Sequence, residues 1–136
     1  MNTKLQNSAA LVGRILLALI FIISGFGKIS GYAGTAGYMA SKGLPMVAVL
    51  LPLTILVELG GGLLIAIGWN ARWAAAAIFL YVIPVTLVFH NPTGLAPAEA
   101  QQQMIHLLKN LSIMGGLLGL FAFGPGSFSL GANKSA

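Results

Sequence analysis

The sequence predicts an all-α integral membrane protein, a bundle of four transmembrane helices, on three observations. Hydrophobic residues fill 57% of the 136 positions and charged residues only 7%, too little polar surface to cover a soluble domain. The apolar residues gather into four blocks, the pattern of membrane spans. Short breaks rich in Gly, Pro and Asn separate those blocks. The length is that of a single domain, residues 1–136.

Crossing a hydrocarbon core of about 30 Å takes about 20 helical residues, and the first block supplies them over residues 9–29. It carries Arg14 and Lys28, separated by thirteen uncharged residues, or roughly 20 Å at about 1.5 Å per residue. Both charges therefore lie inside or at the edge of the span, where they snorkel or pair. The block follows Lys4 as a signal peptide would, but no small-x-small cleavage pattern follows Phe26, so the span is expected to be retained.

The second span is placed at residues 45–68, with Pro45 at a first turn, Pro52 inside as an expected kink, and Glu58 near the middle. The third, residues 72–90, opens on an alanine run and contains Pro84. Trp69 and Trp73 bracket the turn before it like an interfacial belt. The fourth must stop at Gly124, Pro125 and Gly126, which puts it at residues 104–123 and Lys109 inside the membrane. His106, Lys109 and Asn110 share one face of that helix by their spacing. Gly62 with Ala66, and Gly115 with Gly119, are small-residue pairs that let helix backbones approach closely.

Four spans put both long connections, 30–44 and 91–103, on one side, opposite the Trp-flanked turn and both termini. The terminal side holds Lys4, Arg14, Arg72 and Lys134, the other Lys28, Lys42 and Lys109. The positive-inside rule then places both termini in the cytoplasm.

Several function classes fall away. The net charge of +5 comes from seven Lys and Arg scattered singly, so no nucleic-acid partner is expected. With no cysteine in the chain, thiolate catalysis, Fe–S clusters and thiolate-held zinc are excluded. The glycines at 60–62 and 115–116 sit within apolar helices rather than between strand and helix, which excludes a nucleotide loop. Neither Ser24 nor Ser112 stands in a nucleophile arrangement with a base and an orienter, and no catalytic residue is assigned.

Buried charge is where chemistry is expected, because a charge near the bilayer centre costs about 2.5–3.5 kcal/mol on insertion scales. Glu58 lies roughly 13 Å from the end of its span at about 1.5 Å per residue. Arg14 and Lys109 bracket it in depth, which predicts a network of Arg14, Glu58 and Lys109. That network either fixes helix register or lines a cavity for a small redox-active or anionic ligand. A quinone, accepting bonds from Lys109, Arg14 or Asn110, is one such ligand. His90 and His106 lie near one membrane face and raise a paired-histidine haem or metal site. No carboxylate cluster or His-x-x-x-His spacing accompanies them, so no metal is assigned and His90 is read as a ligand contact or proton acceptor.

Taken in order, several segments resemble the DoxX family of small bacterial inner-membrane proteins. They are Arg14 and the apolar run into Ser-Gly-Phe-Gly-Lys at 24–28, Tyr-Met-Ala-Ser-Lys-Gly at 38–43, and Glu58 ahead of the glycines 60–62. His90, Lys-Asn-Leu-Ser-Ile at 109–113 and Gly-Pro-Gly-Ser-Phe-Ser-Leu at 124–130 complete the series. Related chains often continue with an acidic and then a basic residue, where this one has Gly131 and Ala132.

The resemblance implies a four-helix fold in the bacterial inner membrane and an association with oxidoreduction. Relatives are linked to thiosulfate:quinone oxidoreductase subunits and to resistance against quinones and oxidative stress. The expectation is an accessory protein or subunit of quinone-linked oxidoreduction, working in the lipid bilayer beside a partner membrane or redox subunit. If enzymatic, it is a component rather than a stand-alone enzyme. No haem or flavin motif is present, so a bound quinone or the partner would carry electrons. Two other readings stay open: a transporter or exporter of an aromatic or anionic compound, which four spans would require to form a homo-oligomer, and a ligand-free assembly partner. A cavity between the helices separates the first two readings from the last.

Overall fold

The computed structural model describes residues 2–131. It is all helical in its regular structure, with α1 Thr3–Ser30, α2 Tyr32–Ser41, α3 Val47–Ile67, α4 Ala71–Phe89 and α5 Pro97–Phe123. All but α2 are long and apolar enough to cross a membrane. Lys134 and Ala132, used in the sequence reading, lie outside the described residues.

Two helices run past the expected spans. The α1 helix starts at Thr3, where the Asn2 side chain accepts from the Lys4 amide at 2.8 Å and so caps it. The α5 helix starts at Pro97, whose missing N–H costs nothing at a first turn. The turns from 97 to 103 carry Glu99 and a run of glutamines, too polar for a hydropathy window to include, yet a helix need not end where hydrocarbon does.

The connection after α1 holds the ten-residue helix α2, which the glycines at 34 and 37 argue against on propensity. Packing overrides propensity here: Met39 is buried, and the Tyr38 ring stacks on Phe89 with centroids 5.4 Å apart. Helix α3 continues through Pro52 and widens into a π turn over Leu56–Gly60, which holds Glu58.

Helices α1 and α3 meet without side-chain thickness between them. A Cβ on Gly25 would lie 2.9 Å from the Leu59 backbone nitrogen, and one on Gly62 2.9 Å from Ile22. The predicted small-residue contact at Gly62 is therefore real. At Gly115 and Gly119 it is not, since nothing lies within 4 Å of either; both face outward, and the neighbouring Gly116 packs on Leu17 instead.

The main apolar cluster lies in the half of the bundle nearest the termini, with Leu51 and Met39 buried apart from it. Its centre is Ala18 and Phe21 of α1, Ile65 of α3, Ala75 and Ile78 of α4, and Leu117 of α5. The half nearest α2 is hollow.

Candidate functional site

The hollow half contains a cavity of about 870 Å³. Its walls are mostly apolar, from Leu50, Leu53 and Val57 of α3 to Val85, Val88 and Phe89 of α4. Polar groups gather on one side of it: Ser24, Lys28, Thr54, Glu58 and Tyr81, with His90 and Asn110 farther round.

The centre of the polar group is Glu58, 5% exposed on the π turn of α3. Single π turns inside α-helices recur at functional sites. The Lys28 ammonium donates to both carboxylate oxygens, at 3.0 and 3.1 Å, and to Ser24 Oγ one helical turn back at 2.7 Å. The Tyr81 hydroxyl donates to Glu58 Oε1 at 2.5 Å. Lys28 thus uses all three of its protons, and three helices are joined at one carboxylate. Such pairing is what a buried charge requires in a low-dielectric interior.

The expected network of Arg14, Glu58 and Lys109 is not what forms. Lys28 takes the place beside Glu58 that the sequence reading gave to the other two cations. Arg14 is itself buried, but at the C-terminal end of α3. Its guanidinium donates to the carbonyls of Ile65 and Ala66 at 2.7 and 3.1 Å, and to those of Pro125 and Phe128 at 2.6 and 3.0 Å. The last carbonyls of a helix have no intrahelical partner, so Arg14 caps α3 and ties down the segment after α5. Gly68 makes room for it by turning at φ +74°, and a Cβ there would lie 3.0 Å from the guanidinium carbon. Lys109 lies on the exposed side of α5 and does not line the cavity. Lys109 is excluded by its direction, since it points away from the bundle, and Arg14 by the α1–α3 register, which sets it beside the end of α3 rather than beside Glu58.

His90 and Asn110 do reach the site. The His90 Nδ1 lies 2.9 Å from Gln103 Oε1, and its ring lies 5.0 Å from that of His106. Among the described residues no group of three or more His, Cys, Asp or Glu side chains gathers there. Asn110 donates to Thr86 Oγ1 at 2.9 Å and so joins α5 to α4 at the cavity edge. Four of the six residues singled out from sequence, Lys28, Glu58, His90 and Asn110, therefore share one cavity, while Arg14 and Lys109 stand apart.

Sequence reasoning missed Tyr81, Ser24 and Thr54. Tyr81 carried a signal, since a phenol in the interior of an apolar span needs a buried hydrogen-bond partner. Ser24 carried a weaker one, four residues before Lys28 and hence on the same face.

Fold and site together define a class: a multi-pass helical membrane protein with a ligand-sized cavity whose polar side is a buried ion pair. The DoxX family model matches residues 9–91, and the chain belongs to that family. It is 41% identical over 127 residues to the inner membrane protein YqjF of Escherichia coli (strain K12), covering 93% of this chain and 92% of that one. To the inner membrane protein YphA of the same organism it is 36% identical over 120 residues, 88% of this chain and 86% of that one. The four spans and these relatives make it a multi-pass inner-membrane protein. No solved structure matches it.

Proposed function

We propose that the chain binds a small aromatic ligand of the quinone type in this cavity and serves as a membrane component of quinone-linked oxidoreduction, with both termini cytoplasmic. One observation carries the reading: an 870 Å³ cavity with apolar walls holds the Lys28, Glu58 and Tyr81 group on one side. Ligand pockets occupy about 300–1,000 Å³ and combine apolar linings with a few convergent polar groups. A closed bundle would have supported a purely structural role instead.

The chemistry suits a ring with oxygens at its ends. Lys28 donates to a carbonyl oxygen by exchanging one of its present bonds, and Glu58 accepts from a hydroxyl. The oxidised and reduced forms of a quinone are thereby both served by one ion pair. The ligand itself, or a partner subunit, carries the electrons.

The test is the melting temperature of the purified, detergent-solubilised protein against a panel of benzoquinones, hydroquinones and related aromatics, beside Lys28→Met and Glu58→Gln. Stabilisation of the native protein that both variants lose supports the reading. A panel that shifts nothing, with variants that only melt lower, makes the ion pair structural and ends it.

A further inference from the structure

The cavity reaches the outer surface of the bundle at Ile20, which lines it midway along α1 and is 52% exposed. Helices α1 and α5 touch toward the terminal half, where Leu17 lies 3.4 Å from a Cβ built on Gly116, and the segment after α5 packs there too, with a Cβ on Gly126 3.0 Å from Ala10. Toward the other half, α1 contributes Ile20 and Ser24 to the cavity and α5 contributes Asn110 and Ile113. A shallow, open apolar strip runs along the outward face of α1 from Leu16 to Ser24. It shares Ile20 and Ser24 with the main cavity. Its other residues are Leu16, Leu19 and Ile23, all strongly exposed on the bundle surface. The cavity that holds the ion pair and the apolar strip on the outward surface of α1 thus adjoin through Ile20 and Ser24, and Ser24 is already bonded to Lys28.

From this adjacency we infer that the ligand is a tailed amphiphile, which enters from the bilayer between α1 and α5. Its small polar head lies against Lys28, Glu58 and Tyr81, and its hydrocarbon tail lies along the α1 strip. The inference rests on the head-group site proposed above and adds the class of molecule and its route. A water-borne aromatic would need neither the strip nor the lateral opening. For a lipid-borne one, a tail left on an apolar strip costs nothing relative to lipid, while the head gains the buried polar groups.

The experiment uses the full chain in nanodiscs of phosphatidylethanolamine and phosphatidylglycerol. The probe is a benzoquinone carrying an alkyl tail with a diazirine near its end. Irradiation is expected to label α1 between Leu16 and Ile23. An untailed benzoquinone at about ten times its own Kd is expected to reduce that label about tenfold by mass action. The same alkyl diazirine without the quinone head labels outward-facing residues regardless of competitor. If the α1 label persists under competition, or if competition removes label from other helices equally, the tail site is overturned and the head-group site stands. If the untailed benzoquinone neither competes nor raises the melting temperature, both readings fail together.

Discussion

Lys28 and Glu58 come from helices of opposite direction, yet they meet with both carboxylate oxygens within 3.1 Å of one ammonium. The close approach of α1 to α3 sets this register. With Gly25 against Leu59 and Ile22 against Gly62, Glu58 lies level with Phe26, a short reach from the long Lys28 side chain.

Breaking one side of this pair leaves the other charge exposed to an apolar interior. Glu58→Gln and Lys28→Met are each expected to cost about 3 kcal/mol of stability. The double variant is expected to cost clearly less than the sum, with a coupling of about 1–3 kcal/mol. Reversible unfolding in mixed micelles measures all three. Lys109→Met, which removes a charge from the exposed side of α5, is expected not to destabilise the protein. Strict additivity in the cycle would contradict the pair.

Tyr81→Phe removes a single donor to Glu58 and little volume. A hydrogen bond to a charged acceptor is worth about 1.5–3 kcal/mol, and the variant is expected to lose that much. It is also expected to keep Lys28 in place, so quinone-induced stabilisation should weaken rather than vanish. A melting curve with and without ligand reads both effects.

Arg14→Lys tests a different end of the molecule. A lysine lacks the planar fork that reaches four carbonyls, and carbonyls left without donors cost about 1–3 kcal/mol. The segment from Gly124 to Gly131 is expected to exchange amide hydrogens faster, with ligand response intact. Gly68→Ala should reproduce this, because its Cβ would overlap Ser129 in a conformation at φ +74° that favours glycine. Loss of ligand response in either variant, with the fold retained, would place Arg14 in the ligand site after all.

Two glycines two residues apart should behave oppositely. Gly25→Ala drives a methyl to 2.9 Å from the Leu59 backbone and is expected to cost about 1–3 kcal/mol as α1 and α3 separate. Gly27→Ala meets nothing within 4 Å and is expected to gain up to about 1 kcal/mol from helix propensity. Thermal melts of the two variants side by side provide the comparison.

Topology is open to direct labelling, because the chain has no native cysteine. A cysteine placed by Asn2→Cys is expected to resist a membrane-impermeant maleimide applied to spheroplasts, and one placed by Thr93→Cys to react. The reverse pattern would invert the proposed orientation.

Hydropathy and helix breakers predicted a bundle of four long apolar helices, which is what the fold shows, and the cost of burying a charge singled out Glu58. The partner of Glu58 was harder to read, because counting residues gives depth and not direction. Arg14 and Lys28 are fourteen residues apart, which at 3.6 residues per turn returns to within about 40° of the same face. That periodicity shows that both cations point into the bundle. It does not show which meets Glu58, since the register depends on where glycines let two backbones touch. Tyr81 and the helix α2 were hidden for a related reason. Each owes its place to tertiary contacts, Tyr81 to Glu58 and α2 to the stacking of Tyr38 on Phe89, which no local pattern records.

The division of the bundle into a packed half and a hollow half has a consequence for how such a chain changes over time. Residues such as Leu53, Val85 and Val88 line the cavity, whereas Ala18, Ile65, Ile78 and Leu117 hold the helices together elsewhere. A substitution in the cavity wall alters the cavity's shape without opening a void in the core, where lost volume costs most. One scaffold can therefore vary the shape of this cavity while its melting behaviour stays nearly constant.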